Sequence, residues 1–131
     1  WAYATAGMAA DTLFAAVAEA AEQSRLAGFT PQDLASTVWA YATAGMAADT
    51  LFAAVAEAAE QSRLAGFTPQ NLASTVWAYA TAGVAADALY AAVAEEAVRG
   101  GLDRFNPQNL ANTVWAYATA GVAADALYAA V

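Results

Sequence analysis

Trp1, Trp39, Trp77 and Trp115 recur every 38 residues, each opening the heptapeptide Trp-Ala-Tyr-Ala-Thr-Ala-Gly, with no insertion or deletion in between. A fixed period of this size marks a repeat architecture, because one unit is too small to bury its apolar side alone and must stack on its neighbours. Residues 8–45, 46–83 and 84–121 are three complete units, flanked by the end of a partial unit at 1–7 and the start of another at 122–131. Both partial units would expose an apolar end face, so a longer array is expected around this segment.

Within a period, backbone chemistry predicts two helices. Asp11 precedes Thr12-Leu13-Phe14 and suits an N-cap, as do Asp49, Asp87 and Asp125 in the later units. The first helix is expected from about Thr12 to Leu26, stopping at Gly28, where a left-handed residue is cheap. Phe29-Thr30-Pro31-Gln32-Asp33-Leu34 then reads as a second start, with Thr30 as N-cap, Pro31 in the first helical position and Phe29 stapled to Leu34. That helix is expected to end near Ala44 with Gly45 as its stop. Only Met46-Ala47-Ala48 separates it from Asp49, so consecutive helices must fold back on each other. The expected fold is all-α: an α-α solenoid of tandem 38-residue helical hairpins.

Helical periodicity divides the faces. In the second helix Leu34, Ala35, Val38, Tyr41 and Ala42 fall together as core, with Asp33, Ser36, Thr37, Ala40 and Thr43 opposite and Trp39 on the border. In the first helix Leu13, Val17, Ala20, Ala21 and Ser24 face inward with Phe14 flanking, while Glu19, Glu22 and Gln23 form an acidic outer side. The arginines Arg25, Arg63, Arg99 and Arg104 are expected to meet the negative end of the first-helix dipole.

The missing residue types exclude chemistries. The chain has no Cys, His or Lys, which removes zinc-finger ligation, thiol nucleophiles and imidazole bases. Asp11, Asp49, Asp87 and Asp125 are separated by whole repeats and cannot pair as acid and base or close a metal site. The chain is expected not to be an enzyme, to need no cofactor or metal, and to take no small-molecule substrate. No uninterrupted apolar run is long enough to span a bilayer, so a membrane is not expected as a partner. A net charge of −8 opposes gripping a phosphate backbone without help.

A binding role is left, and the free face of the second helix is its candidate location. Asp33 becomes Asn71 and Asn109, Ser36 becomes Ser74 and then Asn112, and Thr37, Thr75 and Thr113 stay constant. Short amides and hydroxyls both donate and accept hydrogen bonds, suiting a base edge or a peptide. For Asp33, Asn71 and Asn109 the alternative is a capping box with Thr30, Thr68 and Asn106.

The motif Phe-[Thr/Asn]-Pro-Gln-[Asp/Asn]-Leu-Ala-[Ser/Asn]-Thr-Val-Trp-Ala-Tyr-Ala-Thr-Ala-Gly at 29–45, 67–83 and 105–121 resembles the octotricopeptide repeat, in length as well as pattern. Related repeats occur in FAST-kinase-like proteins and in a subunit of an RNA-editing complex. The resemblance implies helical hairpins that contact single-stranded RNA, with variable positions in each repeat setting base preference. It also implies an organellar RNA-processing role in a mitochondrion or chloroplast. A protein-interaction scaffold for a peptide or another solenoid is the alternative expectation.

Overall fold

The computed structural model describes residues 15–20, 23, 26, 28–46 and 48–122. Among these residues the chain is helical, with no strand. Residues 15–20 and 23 are helical, followed by α1 (Pro31–Ala44), α2 (Asp49–Gln61), α3 (Pro69–Ala82), α4 (Asp87–Gly100), a 3-10 turn (Leu102–Arg104) and α5 (Pro107–Ala120).

The second helix of each unit starts and stops as its sequence dictates. Thr30 and Thr68 are extended N-caps whose hydroxyls accept from the N–H of Asp33 and Asn71, while the Asp33 and Asn71 side chains accept from the Thr30 and Thr68 N–H. Asn106 replaces them before α5 and accepts from the Asn109 N–H at 2.7 Å. Each helix ends on a left-handed glycine, Gly45, Gly83 or Gly121, at φ 71°, 71° and 69°. Thr68→Ala is expected to cost about 1 kcal/mol, because it leaves the Asn71 N–H without its acceptor; a urea titration with an unchanged slope is the check.

The first helix departs from expectation at both ends. Asp49 and Asp87 occupy the first helical position; the N-caps are Ala48 and Ala86, which make no side-chain cap. The two carboxylates thus sit in the first turn, beside the positive end of the helix dipole, without capping it. Asp11 and Asp125 lie outside the described residues. α2 stops at Gln61, three residues before Leu64, the counterpart of Leu26. Arg63 and Leu64 then adopt left-handed φ of 55° and 57°. That conformation disfavours side chains, but it turns Leu64 into the core, where it is only 3% exposed.

The arginines are correspondingly redistributed. Arg99 lies in the last turn of α4 and pairs with Glu96. Its guanidinium is held above its usual pKa by that hydrogen bond. Arg63 follows the end of α2 and Arg104 lies in the 3-10 turn, so neither is in the last turn of an α-helix. Arg25 lies outside the described residues.

Packing joins like with like. α3 lies against α1 on one side and α5 on the other, and α2 packs on α4, with α1–α2 and α3–α4 contacts tying the two rows together. The expected core positions of α1, Leu34, Ala35, Val38, Tyr41 and Ala42, are all buried. Phe52 is fully buried where a flanking position was expected, because the T-shaped ring of Tyr79 closes over it at 5.0 Å between centroids. Tyr90 and Tyr117 repeat that geometry at 5.1 Å. Val17 is 46% exposed whereas its counterparts Val55 and Val93 are fully buried. Leu13, Phe14, Ala21, Glu22 and Ser24 lie outside the described residues. Ser62, the counterpart of Ser24, is exposed just past the end of α2, its hydroxyl donated to the Ala59 carbonyl.

Candidate binding face

The central helix decides what the polar side of the repeat is available for. α3 has neighbours on two sides, so Asn71 and Thr75 are buried in the middle of the array; Thr113 of α5 is buried as well. The Thr37, Thr75 and Thr113 hydroxyls donate to the carbonyls of Asp33, Asn71 and Asn109 at 2.7, 2.6 and 2.7 Å. These threonines were expected on a free surface. Instead Thr75 and Thr113 are buried, and all three spend their donor on their own backbone.

The run Asp33, Asn71, Asn109 has a packing explanation. The Asn71 amide accepts from the Thr68 N–H and also donates to the Gln32 Oε1 at 3.1 Å across the α1–α3 contact. A carboxylate has no such donor and would bring a buried charge. Asp33 is exposed, so its carboxylate only completes the cap.

Five of the expected residues do converge. Ser36, Ser74, Asn112, Asn71 and Asn109 line one groove of roughly 330 Å³ that runs across α1, α3 and α5. Its other lining residues include Gln32, Gln70, Gln108 and Trp39. The glutamines went unnoticed in the sequence because they do not vary between units. Their signal was spacing: Gln32, Ser36 and Trp39 stand four and then three residues apart, on one helical stripe. Gln32 donates to the Ser36 hydroxyl at 2.9 Å, and Gln108 to the Asn112 Oδ1 at 3.0 Å, so these side chains are held in place.

The tryptophans continue this face. Trp39 and Trp77 lie 6.2 Å apart between ring centroids, and Trp77 and Trp115 6.3 Å, with tilts of 30° and 31°. Border placement was expected for Trp39; in fact the rings form a ladder whose outer members are substantially open, Trp39 at 37% and Trp115 at 46%.

Charge is segregated away from the face. Asp33 is the single Asp, Glu, Lys or Arg on α1, α3 and α5, while Asp49, Glu57, Glu60, Asp87, Glu95 and Glu96 lie on α2 and α4. Glu57 is exposed and accepts from Gln61 at 3.0 Å, an arrangement repeated between Glu19 and Gln23 at 3.2 Å. Among the described residues no three His, Cys, Asp or Glu side chains gather as a metal site, and no described helix is long and apolar enough to cross a membrane.

The family model described as Tbc2 translation factor, N-terminal domain, matches residues 59–131, more than half of the chain. No curated protein and no solved structure matches it.

Proposed function

We propose a function from one premise: the chain belongs to the family of the Tbc2 translation factor N-terminal domain. Membership supports a general role in RNA metabolism or translation. On that basis the chain is an RNA-binding segment, not an enzyme, built as a solenoid of 38-residue hairpins that presents its second helices to single-stranded RNA. The octotricopeptide resemblance of the repeat motif supports the same reading, and the setting proposed on that resemblance is RNA processing in a mitochondrion or chloroplast.

The observation that carries the proposal is the groove across α1, α3 and α5, where ordered amide and hydroxyl groups recur once per unit on a nearly uncharged surface. A stacked array offers such groups at regular intervals, which suits bases splayed along an extended strand. Ser36, Ser74 and Asn112 are the variable readers in the groove. Asn71 and Asn109 support it from below.

Fluorescence anisotropy against a pool of short single-stranded RNAs tests this. The wild-type chain is expected to prefer some sequences, and a variant with Ser36, Ser74 and Asn112 all changed to Ala is expected to lose that preference while keeping its helix content. The acidic surfaces of α2 and α4 favour the second reading, a protein-interaction scaffold. Absence of RNA binding at every salt concentration would overturn this reading and favour that one.

A further inference from the structure

We infer that Trp39, Trp77 and Trp115 form a stacking surface for the unpaired bases of a single-stranded nucleic acid, one base position per repeat, with Gln32, Gln70 and Gln108 beside them to meet base edges. The inference rests on the RNA-binding reading above and specifies how the strand is held.

Three observations support this occupant. First, the two outer rings stay open although the fold has a place for large aromatics, while Trp77 between them is half-buried against the core. Two residues along each helix, Tyr79 and Tyr117 are fully buried and Tyr41 nearly so, while Trp39 and Trp115 remain 37% and 46% exposed. Large apolar rings left in water at matching positions mark a contact surface. Second, the ladder adjoins the amide groove: Trp39 lines it together with Gln32, Gln70 and Gln108. Flat aromatic faces beside side-chain amides match a nucleobase, which has a π-face and a polar edge; a peptide helix would call for an apolar groove instead.

Third, charge limits how the strand can be gripped. With Asp33 the single charge on α1, α3 and α5, the face neither attracts phosphates nor repels them as α2 and α4 would. Affinity must then come from the bases. Stacking tolerates any base, so the invariant tryptophans set affinity, and selectivity is left to the positions that vary.

The test compares two ligands on the unmodified 131-residue chain: a short single-stranded oligoadenylate and an abasic ribose-phosphate strand of the same length. The base-bearing strand is expected to bind, to quench tryptophan fluorescence, and to show a shallow salt dependence; the abasic strand is expected to bind roughly tenfold or more weakly. The double variant Trp39→Leu/Trp115→Leu is expected to lose roughly tenfold or more in affinity for the base-bearing strand with an unchanged salt slope. Should that variant fail to fold by circular dichroism, the comparison of the two strands on the unmodified chain decides the matter.

Equal binding of both strands, or RNA binding by a folded variant at wild-type strength, overturns the stacking role and leaves the RNA-binding reading standing. Failure to bind the oligoadenylate at low salt by a wild-type chain that binds other strands of the RNA pool overturns the stacking role alone, and failure to bind any strand of the pool overturns both. A tryptophan-dependent dimer in sedimentation would assign the ladder to a second copy of the chain and overturn the inference.

Discussion

Phe52→Ala is expected to lower the stability of the chain by about 3–5 kcal/mol. Phe52 is fully buried, and the Tyr79 ring meets it edge-on at 5.0 Å and 75°. The Tyr79 hydroxyl also donates to the Phe52 carbonyl, so one residue carries both the aromatic contact and the hydrogen bond between α2 and α3. Truncation removes the transfer free energy of the ring and leaves a cavity lined by rigid helices that relax little. A domain of this size has a total of roughly 5–15 kcal/mol, so the loss is a large fraction. Urea denaturation measures it against Val98→Ala, which touches a side chain 38% exposed and should stay within about 0.5 kcal/mol of wild type. Equal effects of the two substitutions would refute this account of the core.

Raising the pH above 10 is expected to unfold the chain through its buried tyrosines. Burial, and then the nearby Asp87 charge, push the Tyr90 phenol up from 10.0 to about 12. Burial raises Tyr79 further, against the opposing effect of a backbone hydrogen bond. Both folded-state values lie above the unfolded one, so the native state holds its protons longer than the unfolded state. Their contribution is complete below pH 10 and is lost as pH rises through the folded values, first for Tyr90 toward about 12 and then for Tyr79. Tyr90 alone accounts for roughly 2–3 kcal/mol.

The two tyrosines should respond oppositely to loss of the hydroxyl. Among the described residues the Tyr90 hydroxyl has no hydrogen-bond partner, and the equivalent position in the preceding unit is Phe52. Tyr90→Phe is therefore expected to be neutral or stabilising by up to about 1 kcal/mol and to move alkaline unfolding to higher pH. Tyr79→Phe forfeits its bond to the Phe52 carbonyl and should cost about 1 kcal/mol. Circular dichroism followed against pH reads both. Unfolding midpoints that coincide for Tyr90→Phe and wild type would exclude Tyr90 as the group responsible.

The polar groove shows why a single helical wheel reads a repeat incompletely. On α1 taken alone, Asp33 and Thr37 share the side opposite the core, and Asp33 is indeed exposed. On α3 the same positions, Asn71 and Thr75, are buried, because that side of the helix meets its neighbours in the array. Residues outside this inter-repeat contact, Ser36, Ser74 and Asn112, remain available to the groove. The tryptophans lie between these cases: periodicity puts Trp39 on the border, but the ladder exists only because three such helices stand side by side.

The local events were legible from neighbouring residues: the 38-residue period, the Thr30 and Thr68 caps, the proline starts, the glycine stops and the core stripe of α1. Each depends on backbone conformation or on side chains within a few residues, so neighbouring sequence suffices. Tertiary structure alone decided which polar residues are enclosed, why Asn71 carries an amide, where the first helix ends and that the tryptophans stack. Those outcomes depend on atoms about one repeat away, as in the Asn71–Gln32 bond and in the burial of Leu64, which outweighs an unfavourable backbone conformation.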